Sequence, residues 1–270
     1  MLSSIRQPAV ADLFYPADPV ELTTEIKQFL CASNGNFAAL EPFYGNKPRP
    51  KALIVPHAGY IYSGFVAGSA FSLLLHTHKI KRVILLGPAH RVYLEGCALP
   101  EANTFATPLG NITVNQEHYA ELTALEKVII SDLPHLDEHC LEVQLPFLQF
   151  CLNQFSLLPV VVGECSPSTV ADILELFSQQ ENTLIVVSTD LSHYHTYDEA
   201  CRIDRQTCEQ ILNLDSLISP HQACGCYALN GLNRYAKRHK LAIEQLCYLN
   251  SGDSAGDKSK VVGYASFALY

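Results

Sequence analysis

The stretch Ala52–Tyr60, ALIVPHAGY, constrains the fold most. Four apolar residues, two of them β-branched, run directly into Pro56. Such a run reads as a strand buried on both faces, the habit of parallel sheets. Pro56 has no N–H to give a ladder, so a central strand should stop there. His57 is then left just past the carboxyl end of a buried strand, the edge at which open α/β sheets bind ligands. Two later segments repeat the design: Arg82–His90, RVILLGPAH, and Thr183–His193, TLIVVSTDLSH. They deliver His90, and Asp190 with His193, to the same kind of position.

The rest of the chain fits around these strands. Helical spacing of apolar residues predicts helices over Glu21–Ala32, Ser63–Leu75, Gln116–Ala124, Asp137–Cys151, Ser168–Ser178, Asp198–Leu212 and Gly225–His239. Pro146 predicts a kink or a restart within the fourth of these. Gly64, Ala67, Gly68 and Ala70 would let the second lie close on the sheet. Ser156–Val162 and Val261–Leu269 read as further buried strands, and Cys97–Leu99 and Asn111–Val114 as weaker ones. Asn34–Pro50, Ala102–Gly110 and Tyr248–Asp257 read as loops. Residues 1–20, with three prolines, read as an extended arm packed on the body. Strands alternating with helices give a single α/β domain over 1–270, with a central, mostly parallel or mixed sheet flanked by helices.

Composition excludes some functions. The 270 residues carry a net charge of −9, which argues against a nucleic-acid partner. No apolar run approaches the ~18 residues that span a bilayer, and no leader pattern is seen, so no membrane role is expected. The ten cysteines include no CxxC pair; Cys224-Gly225-Cys226 is the closest spacing. Reduced thiols in the cytoplasm are the expectation, with most of the cysteines acting as small buried hydrophobes.

The candidate chemistry lies at the strand ends. Neutral imidazole is a common metal ligand, and three strands can bring His57, His90 and His193 to one edge. Asp190, three residues before His193, suits orienting an imidazole, ligating metal or capping a turn. His139 and Glu142 are spaced i, i+3 and would share a helix face, as an acid/base pair, a metal pair or a satisfied polar pair. Asn250–Asp257, NSGDSAGD, offers carboxylates that could complete a metal site or serve only as a turn. The histidines at 76, 78, 118, 135, 221 and 239 are given no role, and His195 reads as a surface residue.

Taken together, PHAGYIYSG, GPAH, ATPLG, DEHCLEVQLPFL, STDLSHY and VVGYASFAL resemble the Memo family, called AmmeMemoRadiSam system protein B in prokaryotes. The likeness runs in order from about residue 6 to the end. It implies a fold similar to that of class III extradiol dioxygenases, non-haem iron enzymes. It implies His57 and His90 as metal ligands, His193 as the acid/base group and Asp190 in the same pocket. In animal members a cysteine near the C-terminus supplies a third ligand. A gapless count back from the final strand puts Ser254 at that position. A carboxylate is then the expected substitute, Asp253 directly before Ser254 ahead of Asp257 three beyond or Glu142, making a two-histidine, one-carboxylate site suited to iron(II).

The expectation is therefore a metal-dependent redox enzyme, dioxygenase-like, with iron(II) first and copper or zinc as alternatives. His193, Asp190, His139 and Glu142 would carry the proton chemistry, and His57, His90 and Asp253 the metal. Two other readings stand beside it: a binding or adaptor protein that uses the pocket for a peptide or partner, and a zinc-dependent hydrolase. The ligand is an unidentified small molecule or peptide. The family name further suggests AMMECR-type and radical SAM partner proteins.

Overall fold

The computed structural model describes residues 4–32, 49–75, 79–152, 154–178 and 182–270. The loop expected over 34–50 lies almost wholly outside them, as do His76 and His78. In chain order the elements are β1 (Ile5–Arg6), α1 (Pro19–Ala32), β2 (Ala52–Val55), α2 (Tyr60–Phe71), β3 (Arg82–Pro88), β4 (Cys97–Leu99), β5 (Thr104–Thr107), β6 (Gly110–Thr113), α3 (Tyr119–Thr123), β7 (Val128–Ile130), α4 (Leu145–Cys151), β8 (Ser156–Val162), α5 (Pro167–Ser178), β9 (Thr183–Ser188), β10 (His193–His195), α6 (Tyr197–Leu212), α7 (Cys226–His239), β11 (Ile243–Asn250), α8 (Ser251–Ser254) and β12 (Val261–Leu269).

The apolar runs read from sequence form the middle of the main sheet. Its order is β10-β12-β2-β9-β3-β8-β4-β7, with β11 paired to the outer side of β12. The four central strands, β2, β9, β3 and β8, are mutually parallel. Their carboxyl ends therefore point to one edge, as right-handed crossovers require. Antiparallel β12 and β4 flank them, which makes the sheet mixed. A small second sheet, β1-β5-β6, joins the N-terminal arm to the hairpin after β4.

Side-chain alternation divides the core in two. Leu53, Val55, Val83, Leu85, Leu184 and Val186 face one side, with Leu22, Ile26 and Leu30 of α1 and Ala67, Ala70 and Phe71 of α2. Ala52, Ile54, Ile84, Leu86, Ile185 and Val187 face the other, with Val170, Ile173 and Leu174 of α5 and Leu229 and Leu232 of α7. This is a sheet covered by helices on both faces.

Several local expectations are corrected. Gly64 and Gly68 admit α1 rather than the sheet: a Cβ on Gly64 would lie 2.5 Å from the Phe29 ring, and one on Gly68 would lie 2.9 Å from the Phe29 backbone. The helix expected from Asp137 begins only with a 3-10 turn at Glu142–Gln144, and α4 restarts with Pro146 in its first turn. The reason is local: the Glu138 carboxylate takes the backbone N–H groups of His139 and Cys140. The loop expected over Ala102–Gly110 contains β5, and the one over Tyr248–Asp257 contains the end of β11 and α8. No helix among the described residues is long and apolar enough to cross a membrane.

Candidate metal centre

The β2 ladder ends at Val55, opposite Ser188 at the end of β9. One residue beyond Pro56, the His57 N–H donates to Asp190 Oδ1 at 2.7 Å. The His57 ring Nδ1 lies 2.9 Å from Ser188 Oγ. That hydroxyl donates its one proton to the Cys140 carbonyl at 2.7 Å and accepts from Gln144 Nε2 at 2.9 Å. A serine has a single proton to give, so His57 Nδ1 must be the donor in their contact. The Nε2 lone pair of His57 therefore faces the strand-end edge.

His90 arrives the same way, two residues after β3. Its ring Nδ1 meets Glu138 Oε1 at 2.9 Å. Burial alone would raise the Glu138 carboxyl, but its hydrogen bonds to His90 outweigh that and hold it at about 2. An ionised carboxylate can only accept, so His90 is also protonated on Nδ1 and presents Nε2.

The third imidazole is His139. Its ring stacks on that of His90 with centroids 4.8 Å apart and an interplanar angle of 17°. The centroid of His57 is 5.1 Å from that of His90 and 5.5 Å from that of His139. One ligand nitrogen from each lies within 4.8 Å of the others. Metal–nitrogen bonds of about 2.1 Å close such a gap with small ring adjustments. His139 Nδ1 is buried, makes no hydrogen bond and lies 3.4 Å from Glu138 Oε1. The residues fit a metal ion. Burial, reinforced by the neighbouring imidazoles, lowers His57 well below the ordinary histidine range and brings His139 to about 4. Both rings are neutral and ready to ligate.

A residue that sequence reasoning left unassigned adjoins the site. Cys224 Sγ lies 3.2 Å from His57 Nε2 and accepts from the Asp190 N–H at 3.3 Å. Gly225 allows this approach: a Cβ there would lie 2.7 Å from Thr189 Cβ and 2.8 Å from the Ser188 carbonyl. Burial pushes the Cys224 thiol up, so in the metal-free site it keeps its proton. Cys224-Gly225-Cys226 was visible as a spacing, but the contact spans 167 residues and no local pattern announces it.

The other predicted residues divide. Asp190 is in the site, buried and raised by that burial, with Oδ2 3.9 Å from His57 Nε2. Its Oδ1 takes the His57 N–H, and His193 also acts on it electrostatically. His193 opens β10 opposite Val262 and is half-buried. It lies close enough to both His57 and Asp190 to interact with them electrostatically. Tyr194, next to it, holds φ at 62°, an uncommon left-handed conformation for an aromatic residue.

Glu142 does not pair with His139. Its buried carboxylate accepts from Arg6, from the Ala9 and Val10 N–H groups at 2.8 and 3.0 Å, and from the Tyr15 hydroxyl at 2.6 Å. It anchors the N-terminal arm, whose Phe14 packs on His139 with centroids 4.8 Å apart. Asp253 belongs to neither of the histidine-containing groups that could hold a metal. One of its oxygens accepts from Tyr197 Oη at 2.7 Å and the other from the Asn250 N–H at 3.0 Å, closing a capping box on α8. Ser254 Oγ donates to the Ser251 carbonyl at 3.3 Å within the same turn. Asp253 and Ser254 thus bond within and around the α8 turn, whereas the sulfur beside His57 Nε2 is that of Cys224.

The sequence pattern of the family described as "Memo-like protein" matches residues 6–268. A MEMO1 family protein of Thermotoga neapolitana is 36% identical over 275 residues, covering 98% of this chain and 99% of its own length. MEMO1 family proteins of Methanobrevibacter smithii and Sulfolobus acidocaldarius are each 34% identical, each alignment covering 97% of this chain and 98% of the relative. Among solved structures, an uncharacterized protein from Escherichia coli K12 superimposes with a TM-score of 0.52 at 12% identity, over 82% of this chain and 100% of that one. That likeness is one of fold.

Proposed function

The chain belongs to the Memo-like protein family, and from that premise we propose that it is a metal-dependent redox enzyme whose non-haem metal, iron(II) first, is held by His57, His90 and His139. The observation that carries this reading is the convergence of three imidazoles with ligand atoms within 4.8 Å. The Cys224 sulfur beside His57 Nε2 is a further donor on that side. Imidazole and thiolate donors suit iron, copper or zinc rather than magnesium or calcium. When bound, the metal supplies a Lewis-acidic centre with open positions for dioxygen and a substrate oxygen.

The protein's own residues do the rest. Ser188 and Glu138 hold the Nδ1 protons of His57 and His90, so both Nε2 lone pairs stay directed at the metal position. Asp190 fixes the His57 backbone and sets a buried carboxyl beside its ring. His193, at the rim, takes a proton from bound substrate and returns it to product, the work of a general acid/base. Phe14 packs against the ring of His139.

The test is elemental analysis of protein isolated without oxygen or chelator, followed by oxygen uptake with catechol-type substrates. Close to one iron per chain and uptake that His193→Ala abolishes support the proposal. Bound zinc without uptake points to hydrolysis instead. No metal and no rebinding point to an adaptor.

A further inference from the structure

Glu138 does more at the site than hold the Nδ1 proton of His90. It is 2% exposed. Oε2 accepts from the His90 N–H at 2.6 Å. Oε1 receives the His90 ring Nδ1 at 2.9 Å, the His139 N–H at 2.9 Å and the Cys140 N–H at 3.1 Å. The Glu138 carbonyl in turn accepts from Arg6 Nη2 at 2.6 Å. One side chain thus ties the turn after β3 to the segment before α4, and these two segments supply two of the three imidazoles.

We infer that Glu138 is the positioning residue of the centre: it fixes the tautomer and ring orientation of His90, holds His139 stacked beside it, and so sets the affinity for metal. This rests on the metal-centre reading above. A carboxylate hydrogen-bonded to the far nitrogen of a ligating imidazole locks the ring and makes its other nitrogen a better donor. Glu138 also lies near enough to Cys140 and His90 to form a ligand group of its own. Its two oxygens are, however, already met by four N–H donors, and a metal there would displace them. The arrangement therefore serves the imidazole and not an ion. Gly87 permits it, since a Cβ at that position would lie 2.5 Å from Cys140 Sγ.

The experiment has two readouts. Long-range proton–nitrogen correlation spectra of metal-free, histidine-labelled protein report which nitrogen of His90 carries the proton. Cobalt(II) titration, followed by its visible bands, reports affinity. In wild type His90 is protonated on Nδ1. In Glu138→Gln that state is lost or mixed, and cobalt binds about 10–100-fold more weakly. Asp132→Asn, a change at another buried acid, whose carboxylate accepts from the Glu101 and Ala102 N–H groups, leaves both readouts as in wild type. An Nε2-protonated His90 in wild type overturns the inference without any variant, so a misfolded Glu138→Gln does not shelter it. Unchanged cobalt affinity in a folded Glu138→Gln also overturns it. If wild type binds no cobalt, the metal-centre reading fails, and the tautomer alone decides whether Glu138 positions His90.

Discussion

Replacing Glu142 with alanine separates stability from metal binding. Its carboxylate is fully buried and paired with a guanidinium that is itself 4% exposed. Removing the acid leaves Arg6 charged, buried and uncompensated, a defect that costs about 3–5 kcal/mol. The chain could relax by releasing the arm, but Val10 and Tyr15, each 3% exposed, would then enter water. Exposing large apolar side chains costs about 1.5–3 kcal/mol each, so that route is no cheaper. Urea unfolding monitored by circular dichroism should show the midpoint falling by about 1–2 M, for a slope near 3 kcal/mol/M. Metal stoichiometry at saturation should be kept, because no ligand is touched. The double variant Arg6→Met/Glu142→Leu should recover part of the loss, leaving the Ala9 and Val10 amides, the Tyr15 hydroxyl and the His135 and Glu138 carbonyls without these partners. A Glu142→Ala protein that keeps wild-type stability, or that loses metal at unchanged stability, would refute this account and return Glu142 to the centre.

Other expectations follow from the same contacts. His135 is buried, is lowered to about 3 by that burial, and has no partner for Nδ1. Its folded value lies below its unfolded one, so its contribution is whole above about pH 6.5 and is lost toward pH 3 at about 1.4 kcal/mol per unit; His135→Gln should flatten the acid limb of stability against pH by about one proton. Gly87→Ala puts a Cβ 2.5 Å from Cys140 Sγ and 2.9 Å from Leu141 Cδ2. It should cost about 1–3 kcal/mol in urea unfolding and weaken metal binding by displacing His139. Asp253→Ala should cost about 1 kcal/mol through the lost α8 capping box and leave metal affinity unchanged in titration.

Much of this was legible from sequence, for physical reasons. A strand buried on both faces must be apolar throughout, so β2, β3, β8 and β9 announce themselves, and Pro56 marks where the first stops. His57 and His90 were legible because a strand end fixes where the next residue goes. β5, β7 and β11 were not: β5 and β7 are only four and three residues long, and β11 has only one fully buried residue, Asn250. Glu138 and Glu142 lie one turn apart in DEHCLE, and sequence could not tell which one faces the histidines. The answer depends on Arg6 and Tyr15, more than 120 positions away. Cys224 was missed for the same reason. Asp253 looked like a ligand because a carboxylate in a Gly/Ser turn reads alike as a cap or as a metal donor.

The central claim is that one metal ion is held by imidazoles from the ends of β2 and β3 and from the segment before α4. Anomalous scattering at the iron edge, from crystals grown without oxygen in the presence of iron(II), tests it most directly. The account predicts a single peak within bonding distance of nitrogens from His57, His90 and His139, on the side of His57 that faces Cys224. A peak beside Asp253, or no peak between the three imidazoles, would contradict it.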